Sequence, residues 1–323
     1  MKDARPFPAG KYDAWLHWYV TMRCFLDCEY CGTNNSGIRF KGDVAPIQID
    51  RLMQALEATG LVFRISFTGG GEPFMVPNLR EACQALVGKH FISFNSNLVH
   101  KSVGPFFSVM APDRILQVHA SCHIKALERA GLLDLFADNY RLCQQRGIPI
   151  HAEEVGHPSL IPEADNYREL FRAKGVALHF GAYAGPYQGK NYPDAYTDGE
   201  LKVLGLEKTA RTAHETHRGS RVFMCNAGYN VAIVQPNGDI FPCDHIRKRM
   251  GNIYEKIEFA PRMRACPVAW CTCPLFDYDP MLFTAARGRN RWHNFVQTRV
   301  VGPGTALRDR LYKAFRALRG NAR

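Results

Sequence analysis

A chain of 323 residues, 46% hydrophobic and 22% charged, has room for one large unit or two modest ones and an ordinary globular balance. It holds no run of 18 or more apolar residues, which excludes a conventional membrane-spanning helix, and its N-terminal MKDARPFPAGKYDAW lacks the apolar stretch of a secretory signal, so a cytoplasmic protein is expected. Of the net charge of +11, +9 lies between residues 287 and 323, where ten basic residues meet one acid, Asp309; with the body nearly neutral, nucleic acid is not the expected partner.

In chain order, short β-branched or aromatic runs at 15–21, 61–67, 91–95, 114–120, 148–155 and 176–180 read as strands. Helical patterns at 49–58, 79–87, 124–136 and 164–174 fall between them. Six βα units in succession predict an α/β fold, with a parallel sheet and helices on its outer face. A closed eightfold barrel takes about 250 residues. The alternation stops near Ala210, so the expectation is a partial (β/α)6 TIM-like barrel over residues 1–212. The loop 181–193, GAYAGPYQGKNYP, reads as a mobile surface loop near the barrel mouth, either a plain connector or a substrate lid. Further on, Val231–Val234, a turn at Asn237-Gly238 and Ile240-Phe241 read as a hairpin. With the cysteines around it, this defines a small cysteine-rich β-hairpin C-terminal domain, 213–285, ahead of a basic tail, 286–323.

Eleven cysteines are many for a reducing compartment, where disulfides are rare. Their clustering points to metal or cluster ligation. Cys24-x3-Cys28-x2-Cys31 follows the first strand, at the end where parallel-sheet proteins place their sites. Three thiolates on a tight loop reach three corners of a four-iron four-sulfur cube, which ordinarily takes four cysteines. The next cysteine, Cys83, is far along the chain in a helical pattern, so one iron keeps an open position. The alternative is a zinc site using Cys28-x2-Cys31 and two distant ligands. The extra Cys24 and the strand-to-helix loop argue against it.

This triplet resembles the hallmark C-x3-C-x-aromatic-C of the radical S-adenosylmethionine (SAM) enzymes, with Tyr30 at the aromatic position. The resemblance implies that the open iron binds SAM through its amino nitrogen and carboxylate. One electron from the reduced cluster, delivered by a donor such as flavodoxin or ferredoxin, then gives methionine and a 5′-deoxyadenosyl radical that abstracts a substrate hydrogen. The second strand ends in Thr68-Gly69-Gly70-Gly71-Glu72, similar to the family's GGE motif at Gly70, Gly71 and Glu72, whose backbone contacts the methionine amino group. Glycines there also let backbone approach a ligand closely. The third strand ends in Asn95-Ser96-Asn97, resembling the family's polar turn, and the fourth in His119-Ala120-Ser121-Cys122-His123, where related enzymes contact ribose and carboxylate; Ser121 is the candidate contact. The fifth carries Glu153 and Glu154.

Cys225, twelve residues, Gly238, four residues and Cys243 bracket the predicted hairpin. Cys266-x4-Cys271-x-Cys273 adds thiols on a turn. This set resembles the twitch domain, a shortened SPASM domain, which implies a second, auxiliary four-iron four-sulfur cluster. The commoner C-x2-C downstream is absent, and five cysteines compete for four positions. Cys225, Cys243, Cys271 and Cys273 are favoured, with Cys266 close behind; a zinc ribbon is the alternative.

Cys83 and Cys143 read as buried apolar residues. Cys122 closes the fourth strand and is either core or a hydrogen-atom donor to a substrate radical, as in an epimerase. Leu307, Leu311, Phe315 and Leu318 form an apolar stripe amid arginines, suited to an anionic membrane surface, a partner, or the chain's own body. Only 23 residues precede Cys24, too few for a peptide-leader module, so a small-molecule substrate (sugar, nucleotide or polyol) is expected ahead of a ribosomal peptide. The expected outcome is oxidation or dehydrogenation, with epimerisation next. The rival of another class, a non-catalytic zinc or iron–sulfur protein binding nucleic acid through its tail, offers no reason for the glycine-rich strand end.

Overall fold

The computed structural model describes residues 12–31, 44–206, 224–261 and 264–265. Six strands, β1 (Ala14–Tyr19), β2 (Phe63–Thr68), β3 (Phe91–Ser96), β4 (Ile115–Ser121), β5 (Ile150–Gly156) and β6 (Leu178–Ala182), lie side by side in that order, all parallel. This is the parallel α/β sheet of a partial TIM-like barrel, as the alternation predicts.

Helices pack along one face. They are α1 (Ile49–Ala58), α2 (Leu79–Leu86), α3 (Val103–Val109), α4 (Ile124–Ala130), α5 (Leu133–Gln145) and α6 (Ala164–Ala173). In α1 the spacing of Leu52, Ala55 and Leu56 puts three small or branched apolar side chains on the buried side. Leu16, Trp18, Ile65, Phe67, Phe94 and Val118 meet the helices from the sheet, each at most 1% exposed. The helix expected over 124–136 is two helices. Gly131 stands between them with φ +66°, a left-handed turn that satisfies the end of α4. Helix α3 has no counterpart among the expected elements.

Strand alternation sends the other set of side chains into the barrel lumen. A closed barrel usually fills its interior with branched aliphatics; here the inner face is largely polar. Its floor is tied together: Trp15 Nε1 donates to Ser66 Oγ at 2.6 Å, Ser66 and Ser93 hydroxyls are 2.6 Å apart, and Arg64 Nε donates to Ser93 Oγ at 3.1 Å while its guanidinium lies 3.6 Å over the Trp15 ring.

The loop 181–193, expected as a surface connector or lid, carries a short hairpin, β7 (Gly185–Tyr187) with β8 (Lys190–Tyr192), whose tip is exposed. Tyr183, Tyr192 and Tyr196 are buried, and the Tyr196 hydroxyl bonds Gly156 O at 2.5 Å. A capping box of Thr197 and Glu200 then starts α7 (Asp198–Leu204). Later strands are β9 (Met224–Cys225), β10 (Val231–Val234), β11 (Asp239–Phe241), β12 (Gly251–Asn252) and β13 (Arg264–Ala265). Strand β10 pairs in parallel with β1 over Trp15–Trp18, so the predicted hairpin extends the barrel sheet to nine strands, in the order β12-β11-β10-β1-β2-β3-β4-β5-β6. The hairpin turns at Gly238, φ +88°. Among the described residues no helix is long and apolar enough to cross a membrane. The tail 286–323 lies outside them.

Candidate active site

Past Tyr19 the chain leaves β1 and crosses the end of the sheet. Its course is fixed by the glycine-rich end of β2. A Cβ on Gly71 would lie 2.3 Å from Arg23 O and 2.6 Å from Arg23 N, and Glu72 N donates to Arg23 O at 2.8 Å. The close approach that glycine permits here is to the chain's own loop. Gly69 takes φ +96° beneath the Tyr19 ring, and Gly70 is half-buried beside it.

The loop gathers the three cysteines. Cys28 is buried and Cys24 and Cys31 are half-buried; none of the three is in a disulfide. Burial, with Cys24 and Cys31 beside it, pushes the Cys28 thiol up to about 12. Asn97 Nδ2 points at Cys24 Sγ from 3.9 Å, the placement of an outer amide donor to a thiolate. Soft sulfur donors grouped in this way, once deprotonated, fit three corners of an iron–sulfur cube.

Tyr30 is held from three sides. Its hydroxyl donates to Glu154 Oε1 at 2.5 Å and lies 3.1 Å from His123 Nδ1, and its ring stacks on His157 at 5.7 Å. With the phenol O–H donated to Glu154, the phenol oxygen is left to accept from His123 Nδ1–H. Glu154, fully buried, also accepts from Ile124 N at 2.6 Å and Val155 N at 2.7 Å, so one carboxylate ties the cysteine loop to β5 and to the start of α4. Burial nonetheless pushes Glu154 up to about 7 and, with Glu154 itself, holds Tyr30 protonated. His157 in turn meets Tyr183 and Tyr187 at 4.7 and 4.6 Å, which links the β7–β8 hairpin to the loop.

Glu72 plays the corresponding part between β2 and β3. It is 2% exposed and accepts from Phe74 N (3.1 Å), Ser96 Oγ (2.8 Å) and Asn97 N (2.8 Å). Burial pushes it up to about 7. Ser96 is therefore a buried strut, whereas Asn95 is exposed on the lumen side, opposite His119. Ser121 is half-buried, opposite Glu153.

Cys122 is fully buried within the helix-side apolar cluster, and burial raises its thiol well above the ordinary value. Strand β4 ends at Ser121, and the turn into α4 carries the next side chain into the core. This burial favours the core reading of Cys122 over the hydrogen-donor one. Of the second cysteine set, Cys243 is buried beside Trp15, Val231 and Ile233 on the lumen side of the sheet. The backbone of Cys225 pairs with Arg264. Cys266, Cys271 and Cys273 lie outside the described residues.

What the sequence reading missed is an imidazole row. His119, His151 and His179 occupy neighbouring strands around Glu153, with His119 and His151 paired in register and Glu153 paired with His179. Only His119 and Glu153 were legible, as strand-end residues. His151 and His179 each stand alone in the sequence, and parallel register is what joins them.

The fold matches solved structures of low sequence identity. "Native anSMEcpe with bound AdoMet and Kp18Cys peptide" superposes with a TM-score of 0.52 at 14% identity, covering 74% of this chain and 77% of that one. "Native anSMEcpe with bound AdoMet" gives 0.50 at 15% identity with the same coverage. Streptococcus suis SuiB bound to S-adenosylmethionine gives 0.50 at 17% identity, covering 76% of this chain and 64% of that one. These are radical SAM enzymes, and the chain has their fold. No protein-family model and no curated protein sequence matches the chain.

Proposed function

We propose that the chain is a radical SAM enzyme that acts on a C–H bond of a small molecule bound in the barrel lumen. The observation that carries this is the triplet Cys24, Cys28 and Cys31, three cysteines in no disulfide that a loop brings together at the strand ends of this fold. They would hold a four-iron four-sulfur cluster. When bound, it supplies the electron that cleaves SAM to methionine and a 5′-deoxyadenosyl radical.

The chain's own residues supply position. Gly71 and Glu72 N fix the loop's entry; Asn97 faces Cys24; Glu154 and His123 hold Tyr30 over the strand ends. Gly70, Asn95, Asn97 and Ser121 border the space where SAM would lie. Oxidation of the substrate is the favoured outcome, a preference supported by the burial of the candidate donor Cys122. Cys243, on the lumen side, would contribute with Cys225, Cys266, Cys271 and Cys273 to an auxiliary cluster. A flavodoxin or ferredoxin is the proposed reductant and the cytoplasm the proposed location.

Anaerobic reconstitution tests the reading. With dithionite and SAM, the loaded chain is expected to form 5′-deoxyadenosine, and Cys24→Ala, Cys28→Ala and Cys31→Ala are each expected to lose at least about 100-fold in rate. About four irons per cube sets the count for one cluster and about eight for two. Iron loading at that level with no 5′-deoxyadenosine would refute it.

A further inference from the structure

Three carboxylates stand at the strand ends of the barrel, and the structure sorts them by what they hold. Glu72 accepts three hydrogen bonds at 2.8–3.1 Å and Glu154 three at 2.5–2.7 Å. Both are saturated and buried. Glu153 sits between Ala152 and Glu154 on β5, so strand alternation turns it the other way, into the lumen. Its side chain is 35% exposed. Among the described residues its carboxylate meets two imidazoles: His119 Nε2 is 3.9 Å from Oε1 and His151 Nε2 is 3.5 Å from Oε2. Both distances exceed those of good hydrogen bonds. With one long bond from His151 and His119 further off, the half-buried carboxylate keeps acceptor capacity for the donors of a ligand.

The surroundings keep the space open. A Cβ on Gly181 would lie 2.4 Å from Glu153 Oε1, so this glycine of β6, two residues beyond His179, leaves the carboxylate its room. The rings of His151 and His179 stack at 4.7 Å instead of converging, and no single-ion site is formed among the described residues. Burial works against ionisation of Glu153, yet His151, His119 and His179 together hold it below the usual carboxylate value. Burial lowers His119 and His179 below the usual imidazole value. The charge that faces the lumen is the carboxylate's, and its complement is a cation that brings its own N–H donors. Charge-assisted N–H···O bonds to a carboxylate are about twice as strong as neutral ones.

We propose that Glu153, flanked by His119, His151 and His179, is the subsite that takes the ammonium group of a hydroxylated small-molecule substrate, with the imidazoles and Asn95 meeting its hydroxyls. The proposal deepens the radical SAM reading and rests on it for the word substrate. Binding is measured by calorimetry on the reconstituted full chain with SAM and no reductant, near neutral pH, with glucosamine, N-acetylglucosamine and glucose as probes. Glucosamine is expected to bind at least about tenfold more tightly than the other two. Glu153→Gln is expected to bring all three within about threefold. Gly181→Ala leaves the charge in place but crowds Oε1, and is expected to weaken glucosamine at least about threefold. Equal binding of the three probes, no binding at all, or a preference that survives Glu153→Gln overturns the proposal. Should Glu153→Gln fail to fold, unchanged glucosamine affinity in Gly181→Ala overturns it instead. SAM cleavage by the wild-type chain is scored in separate vessels. Cleavage without amine selectivity defeats this inference alone, and selectivity without cleavage defeats the earlier reading alone.

Discussion

His90 shows how closely single side chains are constrained beneath the site. It is fully buried, and its Nδ1 accepts the N–H of Phe63 at the start of β2, 3.1 Å away. That contact needs the neutral ring, and burial, with Lys89 and Arg114 nearby, lowers the group to about 4. As pH falls below the unfolded value of about 6.5, the unfolded chain takes up the proton first, so the stability this group contributes is complete above 6.5 and lost towards 4. His90→Asn keeps an acceptor but does not titrate. Between pH 7 and 5 the wild type is expected to lose about 1–2 kcal/mol more of its unfolding free energy than the variant. Parallel pH profiles from urea titration would contradict this. The three carboxylates illustrate what was legible at this scale. Glu72, Glu153 and Glu154 are all readable as strand-end residues, but whether each clamps the fold or faces a ligand depends on donors from other strands.

At the scale of elements, the strand ends and the cysteine loop behave as one device. Gly71→Ala would drive a methyl group into Arg23 backbone, which has no flexible end to yield. The expected result is a loss of about 1–3 kcal/mol in stability and a reconstituted iron content below that of wild type. Wild-type melting and iron content would show that the Arg23 contact does not govern the loop. Most strands were legible because parallel strands buried on the helix side read as apolar runs. The break at Gly131 was not, since apolar spacing continues across it from Ile124 to Phe136. Nor was the 181–193 hairpin, where glycine and tyrosine content reads as looseness while the tyrosines in fact pack into the barrel.

For the molecule as a whole, the telling contact joins residues more than two hundred positions apart. Strand β10 lies against β1 in parallel, with Val231, Ala232 and Val234 fully buried. Local patterns predicted the hairpin and its Asn-Gly turn but carried no sign of the strand it would join. Removing everything after residue 206 would bare the edge of β1, a row of unpaired backbone groups. The shortened chain is expected to aggregate or to melt well below the full one, whereas a monomer on size exclusion with an unchanged melting midpoint would contradict the continuity of the sheet.

The account depends most on the proposal that Cys24, Cys28 and Cys31 hold a cluster with one iron left without a protein sulfur. Mössbauer spectroscopy of 57Fe-reconstituted chain, with all the later cysteines from Cys225 onward replaced by alanine, isolates that cluster. Addition of SAM is expected to shift one iron of about four to values typical of nitrogen and oxygen ligation, leaving the other three unchanged. A spectrum in which SAM alters no iron, or in which all four carry thiolate before it is added, would contradict the account.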